Sequence, residues 1–493
     1  MTSGQGQDVS ITATFSDHST RTITGKLVVF DQTNPTADIT VSSTALGQAP
    51  HIEDKNGVKE VHVYGTEDFT IKVQAHDNSG KVAEIALVQN GKPGSYPFPL
   101  TQQTSGVGSS AQPKVLTLTG ATGKNTNNQS DSTQLSEGAQ WNNRAIQVKD
   151  GSNHTTIINL RVINHQQTTK YDPQVQAVTV KASTKALPEA KSAISNVKSL
   201  PNGAQYTWVN GSPVTQSGKR QVKVTYPDGS SDTVNVTVTY QDDVAPTITF
   251  PTSHTYEGVA VTHFYRGEPV DITIHATDAD SNMKKLWLSN GDMHRTERQI
   301  GEDIKGLNVQ SQLNGKNASY HITGTVPTDF ADRYTVGNNQ AVGAKKFTRL
   351  FNAEDQNGNQ SAIDNSTKFM YIVHERAEKY KASYGQLPIT VGTKSASQSS
   401  IEFKDISKGR LFAGEVANSS YKAVEKTVDK PNGTTFTLMN PVDGVQIDST
   451  TGKLTLQGQA KQVGKTIPIQ VKVTYSDKSF DIVDVSMKIR DDI

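Results

Sequence analysis

Residues Val61–Gly91 read VHVYGTEDFTIKVQAHDNSGKVAEIALVQNG, and Val261–Gly291 read VTHFYRGEPVDITIHATDADSNMKKLWLSNG. Tyr64 recurs as Tyr265, 201 residues on, and the Asn90-Gly91 pair recurs as Asn290-Gly291, 200 on. One residue is therefore gained or lost between two copies of a single unit. FTIKVQA and VDITIHA alternate apolar with polar or Thr positions, the period of a half-buried strand. The Asn-Gly pairs that close both copies accept positive φ and favour tight turns.

A second element alternates with the first. It reads VSITATFSDHSTRTITGKLVVFDQT from Val9, VKVTYPDGSSDTVNVTVTYQDD from Val222 and VKVTYSDKSFDIVDVSMKIRDD from Val471. Two kinds of module recur, and such arrays serve reach or multivalent contact. The fold class expected is all-β, an elongated tandem array of Ig-like β-sandwiches alternating with small β-rich domains carrying at most a short helix. The best helical signal is Leu187–Pro201, with Pro188 at a first helical position and Ala190, Ala193, Ile194 and Val197 along one face.

Composition narrows the function. The 493 residues leave room for about three to five domains. The absence of cysteine excludes disulfides and thiol chemistry. With 49 Lys+Arg against 48 Asp+Glu, no net field steers the chain to nucleic acid or anionic lipid, and neither is an expected partner. No stretch approaches the roughly twenty apolar residues of a membrane span, so no membrane insertion is expected. There is no GxSxG elbow and no HExxH, and the 12 histidines show no recurring spacing to a carboxylate. Gly458–Thr466 imitates a phosphate-binding loop, but its glycines are wrongly spaced and a strand follows it. The chain reads as a non-enzyme.

Matching acidic-to-proline junctions, DQTNP from Asp31 and DDVAP from Asp242, mark the boundaries. The expected domains are 1–33, the closing hairpin of a preceding module; 34–168, a first sandwich; 169–242, a small domain; 243–376, a second sandwich; and 377–493, a divergent small domain. Each sandwich carries a polar insertion, Pro93 to Trp141 and Asp292 to Lys346.

Leu187–Asp242 resembles the Rib/alpha-like repeat of Gram-positive surface proteins: PEAK, LPNG, YTW and VTYPDGSSD occur in that family's order. GVQIDSTTGKLTLQ followed by VKVTYSDKSFD looks like a divergent relative without the helix signature. The longer modules are similar to bacterial Ig-like domains, with a DxxGN-type turn at Asp355–Asn359. The resemblance implies a wall-anchored adhesin of streptococcal or lactobacillar type, extracellular, monomeric, and anchored through a region outside this sequence. It brings no catalytic residues.

Loops vary without disturbing a sheet, so the insertions are where binding is expected. The candidate ligand residues are Tyr96, Phe98 and Trp141 in the first and Arg295, Arg298 and Tyr320 in the second. The partner expected is a host cell-surface or matrix glycan or protein. Trp287 and Trp208 read as packing residues, since Leu87 stands in the place of Trp287 in the other copy. Asp278, Asp280 and Asn282, with Asp355 nearby, have hard oxygen ligands at a spacing that suits Ca²⁺, although the first copy retains only Asp77; no other cofactor is expected. The alternatives are a passive stalk that projects a separate binding domain, or the accessory array of a surface glycosidase.

Overall fold

The computed structural model describes residues 6–211, 213–291, 293–330, 334–336, 339–417 and 421–491. Asp292, where the second expected insertion begins, and 331–333 and 337–338 within it lie outside the described residues, as do 1–5 of the first expected domain and 492–493 of the last. The chain divides into two compact units, Met1–Gln241 and Asp242–Ile493.

The first unit begins with an antiparallel hairpin, Gly6–Thr14 against Thr20–Val28, exposed along both strands. A sandwich follows. Its first sheet runs in the order Thr36–Ser42, Phe69–His76, Lys114–Gly120, Leu100–Ser105. Its second runs His51–Lys55, Val58–Tyr64, Thr155–His165, Gln140–Asp150, Val82–Gln89, Lys92–Pro93. Alternation does what it predicts: Phe69, Ile71, Val73 and Ala75 all turn inward and meet Leu118, Ile146, Val148, Leu160 and Val162 from the other strands. The small domain that follows is a four-stranded sheet, Val178–Lys181, Ser231–Gln241, Gly218–Thr225, Gln205–Trp208.

The expected helix over 187–201 is instead two 3₁₀ turns, Ala190–Ala193 and Val197–Ser199. Local polar side chains divert its backbone. Ser192 Oγ donates to the Glu189 carbonyl, Asn196 Oδ1 accepts from the Gln174 N–H, and Ile194 is drawn out to bridge Val175. Trp208 packs as expected, its indole N–H on the Pro188 carbonyl at 2.8 Å.

The second unit repeats the plan. Thr247–Thr249, Pro269–Thr277, Asn317–Thr325 and Leu307–Asn314 form one sheet. Met283–Ser289, Asn339–Asp355, Lys368–His374 and Val259–Tyr265 form the centre of the other. Its small domain keeps the four-stranded sheet, Ile389–Val391, Phe480–Ile489, Thr466–Thr474, Thr435–Leu438. Where the first small domain has 3₁₀ turns, this one inserts two three-stranded sheets, built around Ile401–Asp405 and Leu454–Leu456. In all four domains an early strand pairs in parallel with the last: Val58–Tyr64 with Thr155–His165, Val178–Lys181 with Ser231–Gln241, Val259–Tyr265 with Lys368–His374, Ile389–Val391 with Phe480–Ile489.

The YPDGS and YSDKS turns fasten each sandwich to the small domain after it. Asp228 Oδ2 accepts the Gln167 N–H at 2.7 Å and Ser230 Oγ the Thr168 N–H. Asp477 Oδ2 accepts the Arg376 N–H at 2.8 Å and Ser479 Oγ the Ala377 N–H. In both, the other aspartate oxygen holds its own serine. Gly65 allows the first contact, because a Cβ there would lie 2.9 Å from Asp228 Cβ.

Candidate functional site

The aromatic candidates of the first insertion are brought together, but inside. Tyr96 and Phe98 are fully buried and stack at 5.1 Å; Trp141, half-buried, meets Phe98 edge-on at 4.9 Å. These three candidate ligand residues therefore face inward: the insertion folds its rings into the sandwich core, where area burial stabilises them. Tyr320 is likewise a core residue, edge-on to Phe351 at 5.2 Å. Trp287 is buried as expected, with its N–H on the Arg295 carbonyl.

A groove of about 360 Å³ lies on the first sandwich, lined by Asn90, Asn142, Arg144, Asn159 and Arg161 together with apolar side chains such as Val58 and Ile157. Its shape comes from a register shift between Trp141 and Arg144, where Asn143 takes φ 61°. A bulge re-aims the side chains that flank it. Arg144 lies over the Tyr96 ring at 5.6 Å and donates to the carbonyls of Ser95 and Asn142. Arg161 donates from Nε to Asn142 Oδ1 at 2.5 Å and from Nη1 to Glu60 Oε1 at 2.6 Å. Arg144, opposite the buried Leu160, belongs to the core-side face, and Arg161, one residue further along that strand, to the other; between them the groove is bounded by two guanidiniums and the amides of Asn90, Asn142 and Asn159, donors suited to carboxylates and sugar hydroxyls.

In the second sandwich, arginines converge on a buried acid. Arg349 binds both oxygens of Asp303 (2.7 and 2.5 Å), and Arg298 Nη2 adds a contact at 2.9 Å and the Tyr371 hydroxyl another. Burial works against the Asp303 charge, but the bonds from Arg349 and Tyr371 outweigh it and hold the carboxyl below its ordinary value. Arg298 is therefore committed to Asp303 and Asn290, and Arg295 to the Ser361 carbonyl and Asn352. Arg349, missed in the sequence, shows there only as FTRL at the start of the closing pair.

A histidine pair also recurs unseen. His62 Nδ1 meets His165 Nε2 at 2.9 Å, and His263 Nδ1 meets His374 Nε2 at 2.6 Å. The outer nitrogens reach carboxylates: His165 to Glu137, His374 to Glu378, His263 to Glu415, each at 2.6 Å. This corrects the reading of the histidines as scattered. His62 and His263 stand 201 residues apart, but their partners come from different strands, so no local spacing shows them. Burial lowers His263 and takes His374 down to about 3, while it pushes Glu378 up to about 7.

The cation set expected from Asp278, Asp280, Asn282 and Asp355 is half corrected. Asp278 and Asp355 do come together, with Asp242 as the third carboxylate. Asp280 serves through its backbone N–H, which Asp278 accepts, and Asn282 through its carbonyl, which accepts from Gln356.

Among known families, the Rib domain matches residues 167–242, the Long Rib domain 377–490 and the GspA/SrpA SigLec-like domain 50–170. A comparison with the curated proteins finds no match. Of solved structures, the sialic acid binding region of the Streptococcus sanguinis SK1 adhesin bound to 3'sLn is 18% identical, covering 94% of this chain and 98% of its own at a TM-score of 0.33. The SrpA adhesin of S. sanguinis is 23% identical over 43% of this chain and 96% of its own, at 0.30. A Rib structure from Streptococcus pyogenes is 35% identical over 14% of this chain and 92% of its own, at 0.13. At these TM-scores the structural likenesses carry no argument on their own.

Proposed function

We propose that this chain, which matches a SigLec-like domain over 50–170 and Rib and Long Rib domains over 167–242 and 377–490, binds acidic host glycans through its first sandwich as a Gram-positive surface adhesin. The observation that carries the reading is the groove at the Asn143 bulge, inside the SigLec-like match, which Arg144 and Arg161 both line. A guanidinium pairs bidentately with a carboxylate, and amides beside it accept and donate to hydroxyls, which is the chemistry of a sialylated glycan. The SK1 adhesin region, which carries 3'sLn in its structure, supplies the ligand to try first. The insertion reaches the groove through Arg144, which donates to the Ser95 carbonyl and lies over the Tyr96 ring. The small domains then act as spacers, and the protein works without catalysis.

A second reading places the ligand at Arg349. Two arginines and the Tyr371 hydroxyl already hold a carboxylate there, that of Asp303, and Arg349 remains partly exposed. A glycan carboxylate binds that site by competing with Asp303.

The test is binding of the full chain to a sialylated glycan array, beside Arg144→Ala with Arg161→Ala, and beside Arg349→Ala. The expected result is loss of at least about tenfold in the double variant, in line with removal of a charged hydrogen bond. Loss confined to Arg349→Ala favours the second site. Silence of the folded wild-type chain on every glycan returns the stalk as the better account, and glycan binding with an unchanged double variant overturns the groove.

A further inference from the structure

Each sandwich gathers carboxylates at its entry. Asp242 comes from the entering segment, Asp278 from the loop after Pro269–Thr277, and Asp355 from the end of Asn339–Asp355. All three are more than nine-tenths buried, with one ligand atom from each within 4.8 Å of the others. One oxygen of each serves its own loop: Asp242 Oδ1 accepts the Val244 N–H, Asp278 Oδ1 those of Asp280 and Ser281, Asp355 Oδ1 that of Asn359. The second oxygens are differently placed. Asp278 Oδ2 is buried with no hydrogen-bond partner, whereas Asp242 Oδ2 and Asp355 Oδ2 meet only the amides of Asn357 and Asn359. Among the described residues none of the three carboxylates pairs with Lys or Arg. Loop capping explains the first oxygens and leaves the second ones unexplained, since buried like charges at this spacing repel.

The first sandwich repeats the arrangement with the same division of labour. Asp31 Oδ1 accepts the Thr33 N–H, Asp77 Oδ2 that of Ser79, and Asp150 Oδ1 that of His154. Asp77 Oδ1 is buried without a hydrogen-bond partner, as Asp278 Oδ2 is. Asp31, Asp150 and His154 bring ligand atoms within 4.8 Å of one another. His154 stands where the second copy has Asn359, four residues after the aspartate in each.

We propose that both clusters are divalent-cation sites, and that the second takes Ca²⁺. Ca²⁺ uses six to eight oxygens. Asp242, Asp278 and Asp355 supply carboxylates, the Asp242 main-chain carbonyl is adjacent, and Asn357 and Asn359 present oxygen on an amide flip. The first site replaces one amide by an imidazole, which suits borderline ions better, so it binds Ca²⁺ more weakly. The ion ties the entering segment to the sandwich at two further points.

The full chain, stripped with EGTA and exchanged into metal-free buffer, is titrated with CaCl2 by calorimetry and followed by thermal unfolding. The expected result is binding in the range of about 10⁻⁵ to 10⁻³ M with a rise in Tm. Asp278→Asn weakens the tighter site by at least about tenfold, since ligand charge sets affinity. In EGTA that variant unfolds no earlier than wild type, because it relieves repulsion, and in CaCl2 wild type overtakes it. Asp150→Asn weakens the first-sandwich site alone. No heat and no Tm change in the wild-type chain overturns the proposal, and so does Ca²⁺ binding unchanged by both Asp278→Asn and Asp355→Asn. Neither readout involves a glycan, so the outcome stands apart from that of the array.

Discussion

The first and second sandwiches share strand order, parallel closure, a histidine pair and an entry cluster of carboxylates, yet they treat buried charge differently on the strand before the last. In the first, Gln140–Asp150 bulges at Asn143 and leaves Arg144 and Arg161 braced over an open groove. In the second, the pairing of 345–350 with Lys368–His374 is regular, and Arg349 and Arg298 are drawn onto the buried Asp303. Both copies give their guanidiniums partners, but the first uses backbone carbonyls, an amide and Glu60, whereas the second gathers two arginines on one buried carboxylate.

The difference is broken most strongly at the acids. Asp303→Asn leaves two arginines and a buried tyrosine around a neutral group, and unfolding by urea should show a loss of about 3 kcal/mol. Glu60→Gln in the first sandwich should cost about 1 kcal/mol or less, because its partners Arg161 and Lys55 are solvent-screened. Equal losses would contradict the contrast.

Acidity sharpens it next. Native His263 and His374 resist protons that unfolded histidines accept below about pH 6.5, so stability of the second unit falls as pH drops. Glu378 opposes this: from about 7 down to about 4.5 its native carboxyl binds a proton that the unfolded form does not, which adds stability as pH falls. The net dependence is that of about one proton, at most about 1.4 kcal/mol per pH unit. Glu378→Gln removes the compensation and steepens the fall in the second unit, measured by hydrogen exchange against pH. The first unit also loses stability as pH falls, because burial and the neighbouring His51 and His165 depress His62, but its slope should not change on Glu378→Gln.

The smallest effect is local. Asn143→Ala should cost about 1 kcal/mol, the penalty for a side chain in left-handed backbone, whereas Asn143→Gly should be near neutral. Thermal unfolding separates the two, and identical costs would remove the bulge as the source of the groove.

The strands, the duplication and the Rib-like segment were legible because period-two alternation and turn residues are local signals. The site was less so, for reasons of distance along the chain. Tyr96 and Phe98 sit among prolines in a polar stretch, and nothing local reveals that the stretch folds back onto Phe69. Asp31 and Asp242 stood out as matching junction residues, but their place beside Asp77 and Asp278 depends on pairing across some forty residues. His165 and His374 lacked a visible spacing because parallel neighbours are far apart in sequence. The 187–201 segment misled through its apolar face, which the competing serines and Asn196 overruled.

The parallel closure of every domain has a mechanical meaning. When the two ends of such a domain are pulled apart, the early and last strands slide along each other, and their hydrogen bonds bear the load together instead of opening one by one. A bacterium held to a surface in flowing liquid applies that kind of tension. With no cysteine to staple the chain, this shear geometry, together with the aspartate-fastened turns between sandwich and small domain, lets unfolding under force be governed by a high barrier to the slow first rupture.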